Sequence, residues 1–303
     1  MTVRIMRAAF GAVLCAAAAA EVRAQVPDGG AFLPESRYFR TPAADPHGPR
    51  IAVALLSTNL LETEGRERPA FTLPDPDDSA HDVVAAVSLG VIFPLVQLAE
   101  WEDGGAMLVL DGRVFSRFRI EYESRDDMGQ DWFVGGGIEA RRAKLSGRAS
   151  IIHRSSHIGD EFANATGAQR IEFGGEQLDL LAAWDLPLDA RVHGGVSWIF
   201  RSYLHREPLL DALDIDDRGI LWAGADRHWR PWQDRRLALW LGGDVQAAER
   251  TGWDPAVDVA AGMGLDSGRS LRLMLRYHYG PSPMGEFFLT HETFFGIELV
   301  AEI

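Results

Sequence analysis

Two histidines, two serines and two carboxylates fall within nine residues in the run His153-Arg154-Ser155-Ser156-His157-Ile158-Gly159-Asp160-Glu161. An imidazole within reach of a hydroxyl can take its proton and make it a nucleophile towards acyl esters. His153 and Ser155 are two residues apart, so on a β-strand both side chains point to one face. A third group should orient the imidazole and stabilise its cation. Asp160 or Glu161 is expected to fold back for this, Asp160 being better placed because it directly follows Gly159, where the chain can turn. Backbone amides of Ser156 to Gly159 would then stabilise an oxyanion, with Ser156 and His157 as binding residues.

Two other chemistries fit the same run. His157, Asp160 and Glu161 carry donors suited to a divalent cation, the one cofactor the run suggests, although no metal-ligand set can be assigned. The plainer reading is a hydrogen-bonded rim, in which serines cap strand ends and Asp160 and Glu161 pair with Arg154 or Arg170. A second run, Gly280-Pro281-Ser282-Pro283-Met284-Gly285-Glu286-Phe287-Phe288, adds Ser282 and Glu286 as binding candidates. Its prolines and glycines should hold a loop in one shape. Without chemistry, it reads as an ordered lid or plug.

The elements that position these runs show period-two alternation. Leu108, Leu110, Val114, Phe118 and Ile120 share one face, and Asp111, Arg113, Arg117 and Arg119 the other. Leu271, Leu273, Leu275, Tyr277 and Tyr279 alternate with Arg272, Met274, Arg276 and His278. Arginines recurring in the middle of strands about ten residues long suit a bilayer-spanning strand with a polar lumen. A soluble sandwich would instead place its charges in bulk water. About twelve strands are expected: 50–58, 82–98, 106–121, 131–142, 144–156, 169–185, 190–200, 219–228, 235–247, 255–264, 269–279 and 291–303. Short and long connections alternate between them, the habit of bacterial outer-membrane barrels. Trp101, Trp132, Trp184, Trp229 and Trp232 fall near strand ends, where indole rings suit membrane interfaces. The fold class is therefore all-β, a transmembrane antiparallel β-barrel.

The first residues give the compartment. Arg4 and Arg7, an apolar Ala8–Ala20 and the Val22-Arg23-Ala24 cleavage pattern read as a signal peptide over 1–24. The only cysteine, Cys15, lies inside it, so the exported chain has no disulfide. Removing residues 1–24 takes three of the 30 basic and one of the 44 acidic residues, leaving a net charge of −16. Nucleic acid is excluded as a partner by such a surface. The expected organisation is a periplasmic leader over 25–49 and an outer-membrane barrel over 50–303, inserted by the barrel-assembly machinery. Ile303 departs from the aromatic residue that usually ends such barrels. The acidic stretch from Asn59 to His81 reads as a solvated loop.

Three stretches together resemble the domain-of-unknown-function 1207 family of proteobacterial outer-membrane proteins. They are Phe32-Leu33-Pro34-Glu35 with Ala44-Asp45-Pro46, the His153–Phe162 run, and Ser282-Pro283-Met284-Gly285-Glu286-Phe287-Phe288. The resemblance implies an outer-membrane barrel and brings no activity. Arg154 stands where such proteins often have glutamine. Outer-membrane phospholipase A and the lipid A 3-O-deacylase are similar to this chain in one further respect, a His-x-Ser pair on an outward-facing strand. The leading expectation is a closed or narrow structural barrel. The alternatives are an acyl-ester hydrolase or acyltransferase acting on outer-leaflet lipid or lipopolysaccharide, and a small anion-selective channel.

Overall fold

The structure, a computed structural model, describes residue 34 and residues 37–59, 82–120, 127–166, 170–204, 217–231, 237–266 and 270–302. Its strands are β1 (Ile51–Thr58), β2 (Asp82–Trp101), β3 (Gly104–Arg119), β4 (Asp127–Arg142), β5 (Leu145–Ile158), β6 (Phe173–Asp185), β7 (Ala190–Ser202), β8 (Gly219–Trp229), β9 (Leu237–Ala248), β10 (Pro255–Asp266), β11 (Ser270–Pro281) and β12 (His291–Glu302). Each strand pairs antiparallel with its neighbours in sequence, and β12 closes on β1 to complete a barrel. A helix, α1 (Asp160–Thr166), follows β5. Among the described residues no helix is long and apolar enough to cross a membrane. The signal peptide, most of the Asn59–His81 stretch, Trp232 and Ile303 lie outside the described residues.

Alternation makes this wall. On β11 and β12, Leu271, Leu273, Leu275, Phe295, Ile297 and Leu299 stand exposed on the outside, where hydrocarbon would solvate them. Arg272, Arg276, His278 and Glu298 point inward and are buried. Closure leaves no unpaired edge, and so meets the requirement that backbone groups facing lipid be bonded within the protein.

Inward-facing charges are paired. Arg113 Nε lies 2.8 Å from Asp111 Oδ1, and Arg117 Nη1 lies 2.5 Å from Glu292 Oε1. Glu292 also accepts from the hydroxyls of Thr58 and Ser282, each at 2.7 Å. Such pairs remove the penalty of burying each charge alone more than they add stability.

Residues 37–50 run along the lumen. Tyr38 accepts from Gln97 Nε2 (2.6 Å) near the short turns. Arg37 pairs with Glu139, Arg40 with Asp226 (3.0 Å), and Arg50 with Glu298 (2.8 Å). His47 reaches the rings of Phe115 and Phe133 farther along the lumen. The reason is electrostatic: three arginines of this segment meet carboxylates on three strands, β4, β8 and β12, and backbone carbonyls of Ala43 and Ala44 accept from Arg276.

From the opposite end, the connection between β11 and β12 folds inward. Phe287 packs with Phe162, Met128, Ile158 and Met284, while Phe288 packs with Phe173 and Leu204. Gly285 makes the close approach possible, since a Cβ there would lie 2.6 Å from that of Ser156.

Candidate functional site

The His153 run forms the last part of β5 and the start of α1, at the end of the barrel where the longer connections lie. His153 and Ser155 share the outward face, as their spacing requires. His153 is exposed and Ser155 half-buried. They form no hydrogen bond with each other in this structure, an arrangement common before substrate binds.

The carboxylate in contact with His153 is neither Asp160 nor Glu161. Glu176 of β6 stands directly opposite His153 in the register, and its Oε1 lies 3.3 Å from Nδ1. Asp160 instead pairs with Arg170 on the surface, and Glu161 is exposed in the first turn of α1. The helix carries both carboxylates away from the strand face, so neither contacts His153. Asp160 with Arg170 is one of the pairings foreseen in the rim reading.

Ser155 lies between Trp132 on β4 and Gly174 on β6 in the register. Gly174 accommodates the ring of Tyr203, because a Cβ there would come within 3.1 Å of Tyr203 Cδ2. The Tyr203 hydroxyl donates to Glu176 Oε1 at 3.3 Å, and Arg201 Nε lies 3.6 Å from Glu176 Oε2. Hydroxyl and guanidinium donors thus border the face that carries Ser155.

The amides expected to hold an oxyanion are already committed. Ile158 N donates to Glu286 Oε1 at 3.2 Å, and Gly159 N to Met128 O at 3.2 Å. Ser156 has the opposite parity from Ser155: it is buried on the lumen side, and its Oγ accepts from Glu286 N at 3.0 Å. His157 is exposed on the outer face. Among the described residues no three His, Cys, Asp or Glu side chains gather to hold a metal ion.

Ser282 and Glu286 hold the inward-folded loop rather than the outer face. Ser282 donates to Glu292, and Glu286 accepts from Ile158 N and Ile171 N, fastening the loop to both ends of the α1 connection. Burial raises the Glu286 carboxyl to about 7, against the opposing effect of those two amides. Arg154 points inward and pairs with Asp217, which also takes Arg250 Nη1 at 3.4 Å. Burial alone would raise Asp217, but these two guanidiniums outweigh it and hold the carboxyl below its ordinary value.

Glu176, Tyr203 and Arg201 escaped sequence reading. A signal for Glu176 was present: it is a charge on the otherwise uncharged face of Gly174, Leu178, Leu180, Ala182 and Trp184. A carboxylate on a lipid-facing row needs a partner.

The barrel is similar in fold to the outer membrane phospholipase of Salmonella typhi, solved as a dimer with bound calcium. Identity is 13%, with 84% of this chain and 93% of that chain covered and a TM-score of 0.52. Outer membrane phospholipase A from Escherichia coli gives 12% identity, 83% and 96% coverage and a TM-score of 0.52. These likenesses establish the outer-membrane barrel fold. No curated protein matches the chain significantly. The family model of the protein of unknown function DUF1207 matches residues 75–302, so both the β5 rim and the inward loop fall within it, and the chain belongs to the DUF1207 family.

Proposed function

We propose that the outer face of β5 and β6 cleaves or transfers an acyl chain of an outer-leaflet lipid, a phospholipid or lipopolysaccharide, in the outer membrane of a Gram-negative cell. The observation that carries this reading is the placement of Glu176 against the His153 imidazole, on the face that Ser155 shares. A plain rim does not need an acid, a base and a hydroxyl together on a lipid-facing wall, where each polar group is costly. The outer membrane phospholipases of similar fold bear a lipid hydrolase's name, which makes lipid chemistry compatible with such a barrel.

In this mechanism His153 takes the proton from Ser155 as Oγ bonds to the ester carbonyl carbon. Glu176 fixes the ring through Nδ1 and stabilises the imidazolium. This addition of Oγ gives a tetrahedral oxyanion on the former carbonyl oxygen. Collapse breaks the ester C–O bond, and His153 returns the proton to the departing alcohol. Water, or an acceptor alcohol, then releases the acyl group from Ser155 by the same steps in reverse. The substrate reaches this face laterally from the bilayer, so no deep aqueous pocket is required.

Lipid mass spectrometry of cells expressing the wild type, Ser155→Ala, His153→Ala or Glu176→Ala tests the reading. A change in acyl content is expected with the wild type and is lost in all three folded variants. An unchanged lipid profile with a correctly assembled wild-type barrel returns these residues to a structural rim.

A further inference from the structure

Asp131, on the lumen face of β4, is shared by the two segments that enter the barrel from opposite ends. Its side chain is buried. From the loop between β11 and β12, Gly285 N donates to both carboxylate oxygens at 3.0 Å. From the luminal segment, His47 Nε2 lies 3.6 Å from Asp131 Oδ2. Each tip is also held by the wall beside it. Arg113 Nη1 donates to the His47 carbonyl at 2.8 Å, and the His47 ring meets those of Phe115 and Phe133 at 5.3 and 5.0 Å. On the loop side, Glu286 N donates to Ser156 Oγ at 3.0 Å, and Ser156 stands directly opposite Asp131 in the β4–β5 register.

Elsewhere the two tips are kept apart. Cavities of about 70, 50 and 30 Å³ lie between them, and His47 and Pro283 border all three. The Asp131 carboxylate therefore joins two segments whose own side chains leave space between them. A buried carboxylate is costly unless its oxygens are bonded and its charge is offset. With both segments in place, the loop supplies the hydrogen bonds and the luminal segment an imidazole. If either leaves, the other is left facing a less satisfied carboxylate. Docking of one segment thus favours docking of the other, which is a positive coupling between two sites.

We propose that Asp131 couples the luminal segment to the external loop, so that residues 37–50 act as a strap that holds the β11–β12 connection folded into the barrel. Displacing either segment loosens the other. An event at the short-turn end, where Arg37 and Tyr38 lie, would in this way set the state of the loop at the far end, beside α1 and the last residues of β5. The device is separate from the outer face of β5 and stands whether or not that face is catalytic.

Two readouts at opposite ends test it in the full chain in detergent. Hydrogen exchange followed by mass spectrometry reports on loop amides over 282–290, and maleimide labelling of Ala44→Cys reports on the luminal segment. His47→Ala should speed exchange of the loop amides by about fivefold or more, the lower end of such couplings, although the substitution removes no hydrogen bond of the loop itself. Gly285→Ala, whose Cβ would lie 2.6 Å from that of Ser156, should displace the loop and raise labelling at position 44 by a similar factor. Amides of β8 and β9 should exchange as in the wild type, which separates local release from general destabilisation. His47→Gln repeats the first measurement should His47→Ala fail to fold. Unchanged loop exchange in the folded His47 variant, unchanged labelling in folded Gly285→Ala, or a rise shared equally by β8 and β9 overturns the proposal, since the coupling must be reciprocal and local.

Discussion

Glu176 lies opposite His153 across the β5–β6 ladder, with its carboxylate 3.3 Å from Nδ1. The pairing leaves Nε2 as the nitrogen that can turn towards Ser155. Because the two residues sit on adjacent strands of a closed sheet, the contact is fixed by register and does not depend on a loop.

Loss of that carboxylate should therefore be felt in turnover. Glu176→Gln is expected to lower lipid deacylation by about 10²-fold or more while the barrel folds normally, since the neutral amide no longer stabilises the imidazolium and its NH2 can hold the ring in the wrong tautomer. Asp160→Asn should leave turnover unchanged, because Asp160 serves only Arg170. Acyl release from mixed micelles by the purified variants measures both. Equal activity in Glu176→Gln and the wild type would remove Glu176 from the mechanism.

The luminal segment makes a second, independent expectation. Ala44 is fully buried against Ala52, Ala238 and Met274, so Ala44→Cys should resist a water-soluble maleimide in the folded protein. Adding Glu139→Ala strips Arg37 of its partner and Phe39 N of its acceptor. Breaking a buried pair in this way costs about 3 kcal/mol, and labelling at position 44 should rise accordingly. Planar-bilayer recording of the wild type should show no steady conductance. Rapid labelling of Ala44→Cys in an otherwise wild-type barrel would mean that the segment does not occupy the lumen.

The wall was legible in the sequence and its contents were not. Alternation such as Leu271 to Tyr279 against Arg272 to His278 records directly which side faces lipid, and strand ends followed to within a few residues. Residues 37–50 carry no period, because their order comes from partners such as Glu139, Asp226 and Glu298, far away in the chain. Likewise His153 and Ser155 could be paired by spacing along one strand. Glu176 could not, since its position opposite His153 depends on register, and a slip of one residue would turn it inward.

Sidedness decides which leaflet the rim meets. The α1 connection and the β10–β11 turn lie at opposite ends of the barrel. Asp160→Cys is expected to label from outside intact cells, and Asp266→Cys only after the periplasm is opened. The reverse pattern would place His153 and Ser155 at the inner leaflet and exclude an outer-leaflet substrate.

The inward loop should respond to pH through Glu286. Burial lifts this carboxyl from 4.5 to about 7, with Asp131 nearby adding to the rise and Arg170 opposing it. A raised acid binds its proton more tightly in the folded state, so its contribution is complete below about 4.5 and is lost as pH climbs through about 7. The linkage corresponds to roughly 3 kcal/mol across that window. The loop between β11 and β12 should therefore be cut by added protease faster at pH 8 than at pH 5.5, after correction for the protease's own pH dependence. In Glu286→Gln the carboxyl no longer titrates, and the neutral amide stands in for the protonated acid that the wild type carries at pH 5.5. Its loop should resist protease at pH 8 nearly as well as at pH 5.5, with the pH difference largely gone. An undiminished pH difference in Glu286→Gln would assign the response to another group.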